Sequence, residues 1–227
     1  GVARPLVVVP AGTANDFAAA VGAGTMPGEA LRRAFEGNLA PLDVGFAGDR
    51  PFVNAVSGGF AAAISGAASP ELKASLGPLA YLASGLAHLA SVREFSVRFS
   101  ARTGRFEGPL LFFAGKYGQT VGGGTRIAPD ARVDDGLLDA VLLPAQPPAS
   151  LLGALRALRA GESHRGILRL RGTRFFFEAK EEVAISCDGE AFCARTLAFR
   201  VAPGALSLVV HGPAPARSPL PARFASR

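Results

Sequence analysis

The chain has 227 residues, 49% of them hydrophobic and 19% charged, with a net charge of +6 at neutral pH. A chain this long and apolar buries a substantial core, which excludes general disorder, and its 28 glycines and 17 prolines follow no G-X-Y period, which excludes collagen. Two cysteines are too few for a disulfide scaffold, so free thiols and a reducing cytoplasm are expected.

No charged segment followed by an apolar one opens the chain, so no signal peptide is expected. Met26 is the only methionine, and Gly1 leads almost directly into Leu6-Val7-Val8-Val9, which reads as a piece of a longer chain. Leu6–Val9 is expected to be a short strand buried on both faces, as in a parallel sheet whose other strands lie elsewhere. After the turn Pro10-Ala11-Gly12-Thr13, a helix is expected from Ala14, with Thr13 as N-cap and Asp16 three residues on. A second helix is expected near Pro27–Glu36.

From Pro41 the pattern changes to strands. Alternation marks Phe95–Phe99, Val183–Cys187 and Leu197–Val201, and apolar runs mark Pro109–Ala114, Leu137–Leu143 and Phe175–Phe177. Helices are expected only near Glu71–Ala90 and Ser150–Ala160. Strands at this density predict an antiparallel sandwich or barrel. The charge-free stretches Pro51–Pro70 and Ala74–Val92 lack the density of large apolar residues of a spanning helix, so a soluble chain is expected. Arg156–Arg174 carries six arginines against Glu162 alone, a solvated face or a surface for anionic lipid. No nucleic-acid motif appears.

Three polar constellations stand out. Gly12-Thr13-Ala14-Asn15-Asp16 sits at a strand-to-helix junction, where free backbone N–H groups and the helix dipole favour an anion such as phosphate. There Thr13 could donate a hydroxyl, and Asn15 and Asp16 could fix the loop; the plainer reading is a capped turn. Ile127–Asp139 places four aspartates in ten residues around an Asp135-Gly136 turn, an oxygen-rich set for a hard cation or simply a loop turn. Cys187-Asp188-Gly189-Glu190 puts two acids on a turn between two strands, where a carboxylate can act as a general base. His88, His164 and His211 have no metal-ligand spacing.

These pieces, in this order, resemble the diacylglycerol kinase catalytic family: P-A-G-T-A-N-D-F (Pro10–Phe17), L-D-V-G with F-V-N-A-V-S-G-G-F (Leu42–Phe60), I-A-P-D-A-R-V-D-D-G-L-L-D (Ile127–Asp139) and D-G-E (Asp188–Glu190). The likeness is nearest to the bacterial YegS-like lipid kinases and runs from about Leu6 to Val210. It implies an α/β plus all-β fold, NAD kinase/diacylglycerol kinase-like. A partial nucleotide-binding α/β domain (1–38) would precede an antiparallel β-sandwich domain (39–202), with a return segment and a basic, disordered tail after it (203–227). The active site would lie in the cleft between the two domains.

The resemblance further implies transfer of the γ-phosphoryl group of ATP to a hydroxyl of a diacylglycerol- or phosphatidylglycerol-type lipid. The protein would be cytoplasmic and would meet its lipid peripherally at the inner membrane face. Thr13 matches the threonine that contacts ATP, with Gly12, Asn15 and Asp16 beside it. Asp135 matches the Mg²⁺ ligand, completed by the backbone carbonyls of Arg132 and Leu137, and Glu190 matches the proton acceptor for the lipid hydroxyl. The family's G-G-D-G-T nucleotide motif is absent from this sequence, so the chain as given is expected to bind ATP poorly and to be inactive alone. A sphingoid-base kinase and a non-catalytic regulatory remnant are the alternatives.

Overall fold

A computed structural model describes residues 5–12, 14–24, 26–59, 93–121 and 125–210. The helix expected near Glu71–Ala90, residue Thr13 and the segment after Val210 lie outside the described residues. In chain order the elements are α1 (Asp16–Ala20), α2 (Pro27–Glu36), β1 (Asn38–Ala47), β2 (Arg50–Phe52), β3 (Ala55–Gly59), β4 (Phe95–Ala101), β5 (Gly104–Lys116), β6 (Thr120–Val121), β7 (Thr125–Arg126), β8 (Leu138–Pro144), α3 (Pro148–Ala160), β9 (Leu168–Gly172), β10 (Arg174–Cys187) and β11 (Glu190–Val210).

Nine strands form one sheet in the order β2-β1-β11-β10-β3-β5-β8-β9, with β4 also between β10 and β5. All these strand pairings are antiparallel. β3 and β4 share one row: β4 pairs with Phe175–Ala179 of β10 and β3 with Ile185–Cys187. β2 and β3 are four rows apart, about 19 Å in a flat sheet. Yet only Val53 and Asn54 separate them in sequence, a reach of about 10 Å. The sheet must therefore fold over on itself, and the ring of Phe199 on β11 duly lies 5.9 Å from that of Phe113 on β5.

The inner face of this folded sheet is aromatic. Phe99, Phe113, Phe175, Phe177 and Phe199 are all at most 2% exposed and form one ring cluster with Val97, Leu110, Leu138 and Ile185. Alternation does this work: in Arg174–Ala179 each buried residue is followed by an exposed one. Each Phe contributes about 2–3 kcal/mol on burial. Gly45 and Gly58 make room for rings, since a Cβ on either would lie 2.2 Å from Phe52 or Phe113.

A smaller cluster packs α3 under β5 and β8 through Ala154, Ala157, Leu158 and Val141. A third joins α1 to β1 and β11 through Ala18, Leu42 and Leu208.

β11 runs on past residue 203, its last residues returning along β1 from Leu206 opposite Leu42 to Val210 opposite Asn38. Two expectations differ from the structure. Leu6–Val9 makes only a single parallel bridge, Leu6 to Leu208, and Leu6, Val7 and Val9 are exposed, because no other described strand lies beside them. The arginine-rich stretch contains β9, an edge strand the sequence reading left out. Only Arg156, Arg159, Arg165 and Arg174 of its six arginines are exposed, while Arg169 and Arg171 are partly covered.

Candidate active site

The turn before α1 is built by Asn15. Its side-chain carbonyl accepts the Gly12 N–H at 2.8 Å and its amide donates to the Gly12 carbonyl at 2.7 Å. This closes a left-handed Asn15 (φ 49°), an N-cap conformation that asparagine tolerates, and α1 begins at Asp16. The cap is thus Asn15, in place of the expected Thr13. The helix is only five residues long, so the dipole invoked from sequence is small. Asp16 is buried at its first turn.

Lys116, the last residue of β5, is wholly buried, and its Nζ donates to Asn54 Oδ1 at 3.2 Å. Burial lowers its pKa to about 8, opposed by the charges of Asp16 and Asp188. Its neighbour Tyr117 lines a hollow with Ala19 and Ala20 of α1, and its partner Asn54 gives its backbone N–H to Asp188, so the lysine lies between α1 and the β10–β11 turn. Asp188 holds the latter turn: its carboxylate accepts the backbone N–H groups of Val53 (2.7 Å), Asn54 (3.1 Å) and Ala55 (2.7 Å), while its own N–H donates to the Ala55 carbonyl. Asp188 and Gly189 both have positive φ (47° and 98°), the geometry of a tight two-residue hairpin. Glu190 is the first residue beyond it, exposed, opposite Cys187 in the ladder, its side chain without a hydrogen bond or ion pair among the described residues. Both cysteines are free, and Cys193 stands opposite Ala184.

The Asp135 loop is ordered differently. Asp43 of β1, 2% exposed, accepts the N–H groups of Gly136 (2.6 Å) and Gly204 (2.8 Å) and donates its own to the Val133 carbonyl, pinning the loop to β1 and β11. Burial raises its pKa against these two donors. Asp135 accepts the Leu137 N–H at 3.0 Å and pairs with Arg171 of β9; Arg171 Nε also lies 3.4 Å from Asp139. Arg132 pairs with Asp134. Burial raises Asp135 and pushes Asp139 up to about 6, with Arg171 pulling both back. One oxygen of Asp139 has no hydrogen-bond partner.

Tyr117 joins the two halves. It follows Lys116, its ring packs on Phe52 at 5.6 Å, and its hydroxyl is buried without a partner. Burial first, then the charges of Asp43 and Asp135, raise the phenol's pKa. A hollow of about 320 Å³ opens beside it, lined by Ala19, Ala20, Gly118, Arg132 and Asp134. A larger one of about 480 Å³, on the outer face of β4, β5 and β10 around Arg98 and Lys180, touches none of the motif residues.

The structure thus gathers Asp16, Asn54, Lys116 and the Asp188 turn into one seam and sets Tyr117 between that seam and the Asp135 loop. It places Thr13 outside the described residues. Among the described residues no group of three His, Cys, Asp or Glu side chains has metal-holding geometry. Sequence reasoning missed Lys116, Tyr117, Asp43 and Arg171. A signal existed for Lys116: only three lysines stand against 21 arginines, and this one ends the apolar run Leu110–Gly115.

Residues 54–210 match the family model for the YegS C-terminal NAD kinase beta sandwich-like domain, and residues 2–47 match that for the diacylglycerol kinase catalytic domain. A Pseudomonas aeruginosa protein named "Probable lipid kinase YegS-like" is 39% identical over 217 residues, spanning 95% of this chain and 70% of that protein. A Pseudomonas putida protein of the same name is 38% identical over the same extents. A Bacillus anthracis crystal structure superposes with a TM-score of 0.78 at 21% identity, over 91% of this chain and 68% of that one. Another, of a diacylglycerol kinase from that organism, gives 0.67 at 17% identity, over 91% and 67%. At these identities the superpositions show the fold: a sheet-rich, antiparallel, NAD kinase/diacylglycerol kinase-like sandwich.

Proposed function

Because the chain belongs to the diacylglycerol kinase catalytic family, in its YegS-like lipid kinase branch, we propose that it passes the γ-phosphoryl group of ATP to a glycerolipid hydroxyl of the diacylglycerol or phosphatidylglycerol type. The observation that carries this reading is the seam through Lys116, whose partner Asn54 is bonded to the acceptor-side turn at Asp188 and whose neighbour Tyr117 borders α1, the helix of the phosphate-side turn. Phosphoryl transfer rests on positioning and charge neutralisation more than on covalent chemistry, and a seam of this kind supplies both.

In this proposal Gly12, Thr13, Asn15 and Asp16 form the nucleotide side. Glu190 accepts the proton of the lipid hydroxyl as its oxygen bonds to the γ-phosphorus and ADP leaves. The exposure of Glu190 and the lack of a side-chain partner among the described residues support that role, since its carboxylate is open to an incoming hydroxyl. The Asp135 loop fits a Mg²⁺ ion. Asp43, Asp134, Asp135 and Asp139 outnumber Arg132 and Arg171 by two charges, one Asp139 oxygen has an ion pair with Arg171 but no hydrogen bond, and carboxylate oxygens are the donors a hard cation takes. Asp135 and the backbone carbonyls of Arg132 and Leu137 would hold the ion, whose chemistry there is neutralisation of phosphate charge.

Among the described residues no helix is long and apolar enough to cross a membrane. Contact with the bilayer is peripheral in this reading, through Arg156, Arg159, Arg165 and Arg174. Co-sedimentation with anionic vesicles that weakens with salt is the expected result; indifference to both salt and anionic lipid would exclude that surface.

The function is tested in the intact protein with labelled ATP and a panel of glycerolipids and sphingoid bases. The expected result is glycerolipid phosphorylation that Glu190→Gln lowers by about 10²–10⁴-fold. Near-full turnover by that variant would remove Glu190 as the base, and a preference for sphingoid bases would reassign the acceptor.

A further inference from the structure

We propose that Lys116 is a positioning residue for phosphoryl transfer, its ammonium holding the Asp16 turn and the Asp188–Glu190 turn in register across the line of transfer. This rests on the lipid kinase reading above, and it assigns a role to a side chain in none of the family motifs. Three observations carry it.

First, the placement is not what stability alone would select. Lys116 is fully buried, yet among the described residues the one hydrogen-bond partner of its ammonium is a neutral amide, Asn54 Oδ1 at 3.2 Å. An ammonium has three donors, and burying its charge is costly unless it is closely paired. The Asp188 carboxylate next to it is taken up by three backbone N–H groups.

Second, the lysine's contacts reach both sides of the site. Its partner Asn54 gives its backbone N–H to Asp188 and its carbonyl to the Tyr117 N–H at 3.2 Å. The chain from Lys116 thus runs through Asn54 and Asp188 to the turn that presents Glu190. On the other side lies α1: its Ala19 and Ala20 line a hollow with Tyr117, the next residue, and the charge of Asp16 at its first turn acts on the ammonium.

Third, the residue type is selective. In a chain that uses arginine for 21 of its 24 basic residues, this wholly buried position carries a lysine, whose compact ammonium fits where a planar guanidinium with five donors would leave most of them unmet.

The test compares Lys116→Met and Lys116→Gln with wild type in the intact protein, measuring kcat, KM for ATP, KM for lipid and the melting temperature. Both variants keep a melting temperature at or above wild type and lose turnover by about 10²-fold, the cost of misplacing reacting groups by an ångström or so, while both KM values stay within about threefold. A folded variant with kcat within about threefold of wild type overturns the proposal, as does a loss lying wholly in KM. If neither variant folds, Lys116 is a scaffold residue and the proposal is wrong. A wild-type protein that phosphorylates no lipid removes the kinase reading and this inference with it, whereas an active wild type with active variants removes the inference alone.

Discussion

The two acidic turns of this molecule look alike as letters and behave in opposite ways. At the Asp188 turn the carboxylate is saturated by three backbone N–H groups, and the nearby cation, Lys116, is left with a neutral amide. At the Asp135 loop a guanidinium, Arg171, reaches two carboxylates, and negative charge remains in excess. One region is therefore poised to meet negative groups and the other to meet a cation. What an acidic residue does is set by which donors its fold aims at it, and sequence spacing alone does not say which those are.

The largest expected effect comes from Asp43, which ties the Asp135 loop to the sandwich. Asp43→Ala strands the buried N–H of Gly136 and opens the part-buried bond from the exposed Gly204, a loss of about 3 kcal/mol, most of it from the first at 1–3 kcal/mol for an orphaned donor. Denaturant unfolding measures it; a loss below about 1 kcal/mol would mean the loop is held by other contacts. Next is Asp188→Ala. It frees three N–H groups, but on an exposed turn where water can replace the carboxylate, so the loss is smaller, about 2 kcal/mol. If Asp188→Ala destabilises more than Asp43→Ala, the Asp188 corner is the true anchor of the folded sheet and the contrast between the two turns reverses.

Much of the sandwich could be read from local pattern. β4, β8 and both halves of β10 announce themselves by alternation or apolar runs, because each strand buries one face or both against the same core. The D-G-E hairpin and the free cysteines were equally legible. What was hidden depends on partners far off in sequence: Asp43 finds Gly136 and Gly204 93 and 161 residues away, and Asp188 finds Val53 135 residues away. β9 was hidden for a different reason. As an edge strand it buries little, and its two arginines, both turned toward the acidic loop, mask the Leu168–Leu170 alternation. In the candidate site the motif letters name the Asp16 and Asp188 turns, but the lysine of the seam is a single residue with no periodic signature.

The smallest effect separates the two regions most directly, because it follows one charge. Burial lowers Lys116 from 10.5 to about 8, so the folded state holds its proton less tightly than the unfolded chain does. Below pH 8 both states are protonated and the full penalty of burying the ammonium is present. Between pH 8 and 10.5 the unfolded chain binds more protons than the folded one, so the stability contributed at this position rises with pH. Lys116→Met removes the titrating group, and replacing an uncompensated buried ion by an apolar side chain of similar length is neutral to stabilising. The variant is therefore expected to exceed wild type by about 1 kcal/mol at pH 7, with the gap closing toward pH 10. Paired denaturant curves at the two pH values measure it. A gap that is constant with pH would show that the ammonium is fully compensated by Asp16 and Asp188, which would make the Asp188 seam as well paired in charge as the Asp135–Arg171 cluster and erase the difference between them.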